Sequence, residues 1–192
     1  MKHLLFFVAV LGFMSCGSSG GGGGAATSLD GYQTENVGGG VTRAFIKTSD
    51  KYAEQGFLVN GVTNGVWISS YDGEEAGKIK TLASYSNGVL NGPYYEYTNR
   101  GQIENEVNYV NGLYDGVVST YKFGRPTLSK TYKANELNGP SYDYFSDGKL
   151  QKETNFKNGK QHGIMTWYNQ EGKKTMEYTY KNGEKISGGI VN

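Results

Sequence analysis

The chain has 192 residues, of which 30 are Gly, 16 are Tyr and only 3 are Pro, and its formal net charge is +1. That balance excludes the basic stripe expected of a nucleic-acid binder, and so many aromatics exclude a disordered chain. A hydrophobic fraction of 36% is low for a thick two-layer core and points to a thin, elongated sheet with many short strands and tight turns.

The first elements in chain order read as an address. Met1-Lys2-His3 is a positively charged start, and Leu4 to Phe13 is an unbroken apolar run. A helix needs about 20 residues to span a bilayer, so residues 1–15 are expected to be an export signal. Phe13-Met14-Ser15-Cys16 resembles a bacterial lipobox, which implies lipidation of Cys16 and an anchor in the cell envelope. By resemblance to bacterial lipoproteins, the absence of Asp at position 17 favours outer-membrane sorting over inner-membrane retention, with periplasmic and surface leaflets both open. The alternative is a plain secretory signal with an incidental Cys. Gly17-Ser18-Ser19 and the run Gly20 to Gly24 open a stretch, 16–39, expected to be a flexible Gly/Ser-rich tether reaching roughly 25–30 Å as a coil.

From residue 40 onward the chain repeats. Asn-Gly pairs recur at Asn60-Gly61, Asn87-Gly88, Asn111-Gly112, Asn158-Gly159 and Asn182-Gly183, with Ala134-Asn135 filling the gap. The second turn residues, 61, 88, 112, 135, 159 and 183, are separated by 27, 24, 23, 24 and 24 positions. A fixed period of this size is the mark of a repeat array. Asn-Gly favours the type I′ hairpin turn, whose two central residues both need positive φ. A second series, Asp72-Gly73, Arg100-Gly101, Phe123-Gly124, Asp147-Gly148 and Glu171-Gly172, reads as the turn at the other end of each hairpin. Strands of about 33 Å then alternate between the two series. A further glycine four residues past each Asn-Gly turn (Gly65, Gly92, Gly116, Gly139, Gly163; Ser187 in the last copy) predicts a bulge in every repeat. The expected fold is all-β: an elongated, single-layer, twisted antiparallel meander of consecutive hairpins. It should cover 40–192 with about six copies, the first degenerate and the last partial.

Two aromatic ladders run through these copies. Leu58, Tyr85, Tyr109, Tyr132, Phe156 and Tyr180 stand two residues before each first-series turn, and Tyr97, Tyr121, Tyr144 and Tyr168 stand five residues after the bulge glycine. Their expected role is the core of the sheet, while Tyr94 and Tyr114 are candidates for outward, binding positions.

The stretches Asn87-Gly-Val-Leu-Asn-Gly-Pro-Tyr-Tyr-Glu-Tyr97 and Asn158-Gly-Lys-Gln-His-Gly-Ile-Met-Thr-Trp-Tyr168 resemble the bacterial variant of the MORN repeat. The resemblance implies a single-layer sheet of consecutive hairpins and a scaffold or adaptor, with antitoxin-like or immunity-like roles described for such proteins. It defines no catalytic residues, and a repeat does not by itself specify a function.

No catalytic, cofactor-binding or metal-binding constellation stands out. His162 occupies a position where other copies carry Asn91, Asp115 or Asn138, which makes it a turn residue. Glu104 and Glu106 should share one face of one strand as solvated like charges. Charge is uneven along the array: residues 30–116 hold 11 acidic and 6 basic side chains, and 149–185 hold 8 basic and 4 acidic. These features lead to a non-enzymatic, lipid-anchored scaffold that binds a protein partner and touches the membrane through its N-terminal lipid. The alternative is a glycan-binding surface lipoprotein, and open sheet edges allow a homodimer.

Overall fold

The computed structural model describes residues 28–191, which form one sheet. Fourteen strands follow each other in chain order, every neighbour hydrogen-bonded and antiparallel. They are β1 (Gln33–Gly38), β2 (Val41–Thr48), β3 (Lys51–Val59), β4 (Val62–Ser70), β5 (Ile79–Ser86), β6 (Val89–Tyr97) and β7 (Ile103–Val110). Then come β8 (Leu113–Lys122), β9 (Arg125–Lys133), β10 (Glu136–Tyr144), β11 (Leu150–Lys157), β12 (Lys160–Tyr168), β13 (Lys174–Lys181) and β14 (Glu184–Ile190). This is the predicted open meander.

The first turn series is left-handed at both central positions, as type I′ requires. Asn87 and Gly88 have φ of 51° and 79°, Asn111 and Gly112 have 51° and 78°, and Ala134 and Asn135 repeat the geometry at 49° and 68°. Each of these turns also leans on the repeat before it: Gly88 N–H donates to Thr63 O and Gly112 N–H to Leu90 O, both at 2.8 Å.

The second series differs from the expectation. Arg100, Asp147 and Glu171 are not left-handed; only the glycine after each has positive φ. Thr98 N–H donates to Gln102 O and Gly101 N–H to Thr98 O, and the same pair of bonds closes Phe145–Lys149 and Asn169–Lys173. These are three-residue loops, a tight turn followed by a glycine bulge. The uneven steps now have causes. A longer loop containing the 3-10 turn Gly73–Glu75 accounts for 27, and a shortened two-residue turn at Phe123-Gly124, left-handed at 52° and 73°, accounts for 23.

The five recurrent glycines have φ between 70° and 120°, and strand register shifts beside each of them. A short polar residue of the preceding strand seals three of these bulges. The Asn108 amide donates to Asp115 O, Thr131 Oγ1 to Pro140 O at 2.9 Å, and the Asn155 amide to Ile164 O at 2.9 Å.

The array begins earlier than predicted. Residues 33–38, read as the end of the tether, are β1, with Thr34 opposite Ala44 and Glu35 opposite Arg43. Gly38, Gly39 and Gly40, at φ of 99°, 61° and 77°, form the turn into β2, so this glycine run is a hairpin corner. The signal segment 1–15, Cys16 and the Gly/Ser run lie outside the described residues.

One end of the sheet carries its best-packed cluster. Ala44, Leu58 and Trp67 are buried together, with Leu29, Tyr32 and Tyr85 against them. Trp67 lies across β3 at Gly56, where a Cβ would sit 2.2 Å from the indole. The Trp67 Nε1–H donates to Phe57 O at 3.1 Å, and the Tyr32 ring meets the indole edge-on at 5.9 Å.

Candidate interaction face

Side chains alternate between the two faces along each strand, and the register assigns the rows. Trp67, Ala83, Tyr94 and Val107 stand opposite one another on successive strands. Leu58, Tyr85 and Tyr109 lie on that same face by their even spacing from Gly56, Ala83 and Val107. Most of the buried residues, including Leu58, Trp67, Ala83, Val107, Tyr109 and Met165, therefore belong to one side, the core face. Tyr94, Tyr109, Tyr114 and Tyr132 run along it as a chain of rings with successive centroid distances of 6.1, 5.2 and 5.5 Å. Tyr94 and Tyr114 are thus half-buried members of this row, which corrects their expected outward role. The reason is spacing: each fills the gap that successive ladder residues, two strands apart, leave between their rings. Burial, then a hydrogen bond to Glu96, pushes the Tyr94 phenol well above its ordinary value of 10.0. Burial does the same to Tyr109, helped by Tyr114. The ladder of Tyr97, Tyr121, Tyr144 and Tyr168 stands on the opposite face, toward the other edge.

The opposite face buries Phe45, Ser119 and Thr166 along its middle row, but toward the Asn-Gly turns it exposes a set of apolar side chains. Phe57 and Val59 flank Leu58, Val66 precedes Trp67 and Val110 follows Tyr109, so all four point away from the core face. Val89 pairs with Ser86, Leu113 with Val110 and Val117 with Thr131, which places them on the same side. Their exposures run from 37% at Val59 to 47% at Val117. The seven form a patch across β3 to β8, about 24 Å wide at the usual strand spacing. Beyond β8 the equivalent turn-flanking pairs are Lys133 with Glu136, Lys157 with Lys160 and Lys181 with Glu184. The turn-flanking positions of this face therefore change from aliphatic to charged midway along the array, while Ile164, as exposed as Val117, keeps the place that Val117 holds two repeats earlier. This change goes beyond the expectations from sequence, although its signal lies there: Val-Asn-Gly-Val and Val-Asn-Gly-Leu give way to Lys-Asn-Gly-Lys and Lys-Asn-Gly-Glu.

The remaining candidates fall into structural places. His162 Nδ1 accepts from Asn182 N–H at 3.4 Å, as Asn91 Oδ1 accepts from Asn111 N–H at 3.1 Å and Asp115 from Ala134 N–H at 3.3 Å. It therefore caps the next turn. Glu104 and Glu106 share a face as predicted, and Glu106 accepts from the Tyr121 hydroxyl at 2.9 Å. Among the described residues no group of three or more His, Cys, Asp or Glu could hold a metal ion. No helix among them is long and apolar enough to cross a membrane.

Three stretches of the chain match the MORN repeat variant. They are residues 90–111, 137–158 and 161–182, each running from the rising strand after one Asn-Gly-type turn to the next such turn. No curated protein matches the chain. Among solved structures, it is similar to an S. aureus TarM mutant in complex with Fondaparinux, alpha-GlcNAc-glycerol and UDP. That likeness has 11% identity and a TM-score of 0.29, covering 82% of this chain and 21% of the other. A second crystal structure of TarM is similar at 16% identity and the same TM-score of 0.29, covering 68% and 22%. The chain thus spans about a fifth of the length of these structures.

Proposed function

We propose that this protein is a non-catalytic repeat scaffold that binds a protein partner through the exposed apolar patch on the face opposite its core. The observation carrying this reading is the row Val59, Val66, Val89, Val110, Leu113 and Val117, joined by Phe57, exposed on a single side. Isolated exposed aliphatics need no explanation, but a contiguous patch of several hundred Å² marks an interaction surface. The charged continuation beyond β8 would set the direction in which a partner lies along the rod.

Glutamates at Val89 and Leu113 test it, because both side chains are exposed and neither supports the core. The Val89→Glu/Leu113→Glu double variant is expected to melt like wild type and to lose capture of the partner from a crosslinked native envelope extract by tenfold or more. Equal recovery by both proteins would sink the reading.

The anchor belongs to the same proposal: Cys16 carries a lipid, and the scaffold sits at the bacterial outer membrane. Cys16→Ser is expected to move the protein from the membrane fraction to the soluble one and to abolish metabolic labelling with a fatty acid. An unchanged distribution would remove the anchor. An immunity-like role is the specific case in which the captured partner is a toxin that co-expression with this chain silences.

A further inference from the structure

One turn of the array is built against its own chemistry. The second-series loops at Thr98–Gln102, Phe145–Lys149 and Asn169–Lys173 keep their bulky residues out of the left-handed region. The turn between β8 and β9 is one residue shorter, and it puts Phe123 there at φ 52°. Asn, Asp and Gly suit this position, and a bulky side chain in it is an outlier. The ring contributes nothing to the core, being 75% exposed, with only the Lys122 ammonium 5.7 Å from its centroid. A strained, exposed aromatic with no packing role points to something outside the fold.

Beside the shortened turn lies a notch of about 370 Å³ bounded by the preceding loop and lined by Asn99, Arg100, Gln102, Glu104 and Tyr121 together with Phe123. It sits at the edge of the sheet away from the Asn-Gly turns. Arg100 and Glu104 make no ion pair among the described residues, although they face the same space. Donors (Arg100, Gln102, Lys122) and acceptors (Glu104, Gln102) therefore line one recess together with the exposed Phe123 ring.

We propose that this notch binds a sugar ring of a glycan. The Phe123 ring stacks on the apolar C–H face of the pyranose, and Arg100, Gln102 and Glu104 hydrogen-bond its hydroxyls. A hydroxyl both donates and accepts, so it needs the mixed set found here. A protein anchor would call for a desolvated apolar surround, which this molecule carries at its opposite edge. The site lies on the same side of the sheet as the partner-binding patch but at the other edge, away from the Asn-Gly turns.

Phe123→Asn separates a ligand role from a structural one. Asn is the residue that all five Asn-Gly turns place at φ 49–53°, so this variant is expected to melt at or above the wild-type temperature. The full-length protein and the variant are to be applied to a microarray of defined oligosaccharides, with every hit titrated calorimetrically. The expected result is a glycan bound by wild type, at least tenfold more weakly by Phe123→Asn, and severalfold more weakly by Glu104→Gln. Capture of the protein partner should be unchanged. Three results would overturn the proposal: no glycan distinguishing wild type from Phe123→Asn, a variant less stable than wild type, or loss of the protein partner instead of a sugar.

Discussion

Gly56→Ala is expected to be strongly destabilising although it adds a single methyl. A Cβ at position 56 would lie 2.2–2.4 Å from three indole atoms of Trp67, and the backbone there has ordinary φ, so the whole effect is steric. The indole has to leave its seat across β3, giving up its hydrogen bond to Phe57 O and its edge contact with Tyr32. Exposing a tryptophan in this way costs about as much as deleting it, 3–5 kcal/mol. Melting should fall by roughly 10 °C for a domain of this size, with a red shift in tryptophan emission. Gly189→Ala is the control, since a Cβ there meets nothing within 4 Å and the change should stay within about 0.5 kcal/mol. Equal melting of both variants would show that Trp67 does not sit over Gly56.

Strong alkali is expected to dissolve the tyrosine rows and the array with them. Burial raises the phenols of Tyr32, Tyr85, Tyr94, Tyr109 and Tyr132 above the ordinary 10.0. Below about pH 10 both folded and unfolded chains hold these protons, and the groups add no pH dependence. Above it the unfolded chain releases protons that the folded sheet retains, so stability falls continuously as pH rises. The share of tyrosinate absorbance that belongs to these buried phenols should therefore appear late, together with loss of the β-sheet dichroism, and after that of Tyr52, whose phenol the Arg43 guanidinium holds below its ordinary value. A smooth titration near pH 10 with the sheet intact would contradict the buried row.

The periodic parts of this fold were legible because each rests on a local backbone demand. Asn-Gly at 87–88 and 111–112 specifies φ > 0 at two residues, and a glycine four positions on specifies the bulge; neither depends on the rest of the molecule. What depends on counting was read less well. Xaa-Gly occurs in both a two-residue turn and a three-residue loop, and only the spacing from Tyr97 or Tyr121 to the returning strand separates Arg100-Gly101 from Phe123-Gly124. Gly38 to Gly40 resembled the glycine run at 20–24 because composition does not distinguish a corner from a tether. The exposed apolar patch was hidden for a different reason. In a single layer both faces carry apolar residues, and alternation alone does not say that Leu58 is covered while Phe57 and Val59 are not. His162 was placed correctly from its equivalence to Asn91 and Asp115, which is again a local rule.

Site-specific photo-crosslinking tests the central claim most directly. A photoreactive side chain placed at position 113 lies in the exposed apolar patch, and one at position 160 lies in the equivalent turn-flanking position of the charged half. In native envelopes the scaffold account predicts one crosslinked protein of defined mass from position 113 and far less of it from position 160. No adduct from 113, or equal labelling from both positions, would contradict it.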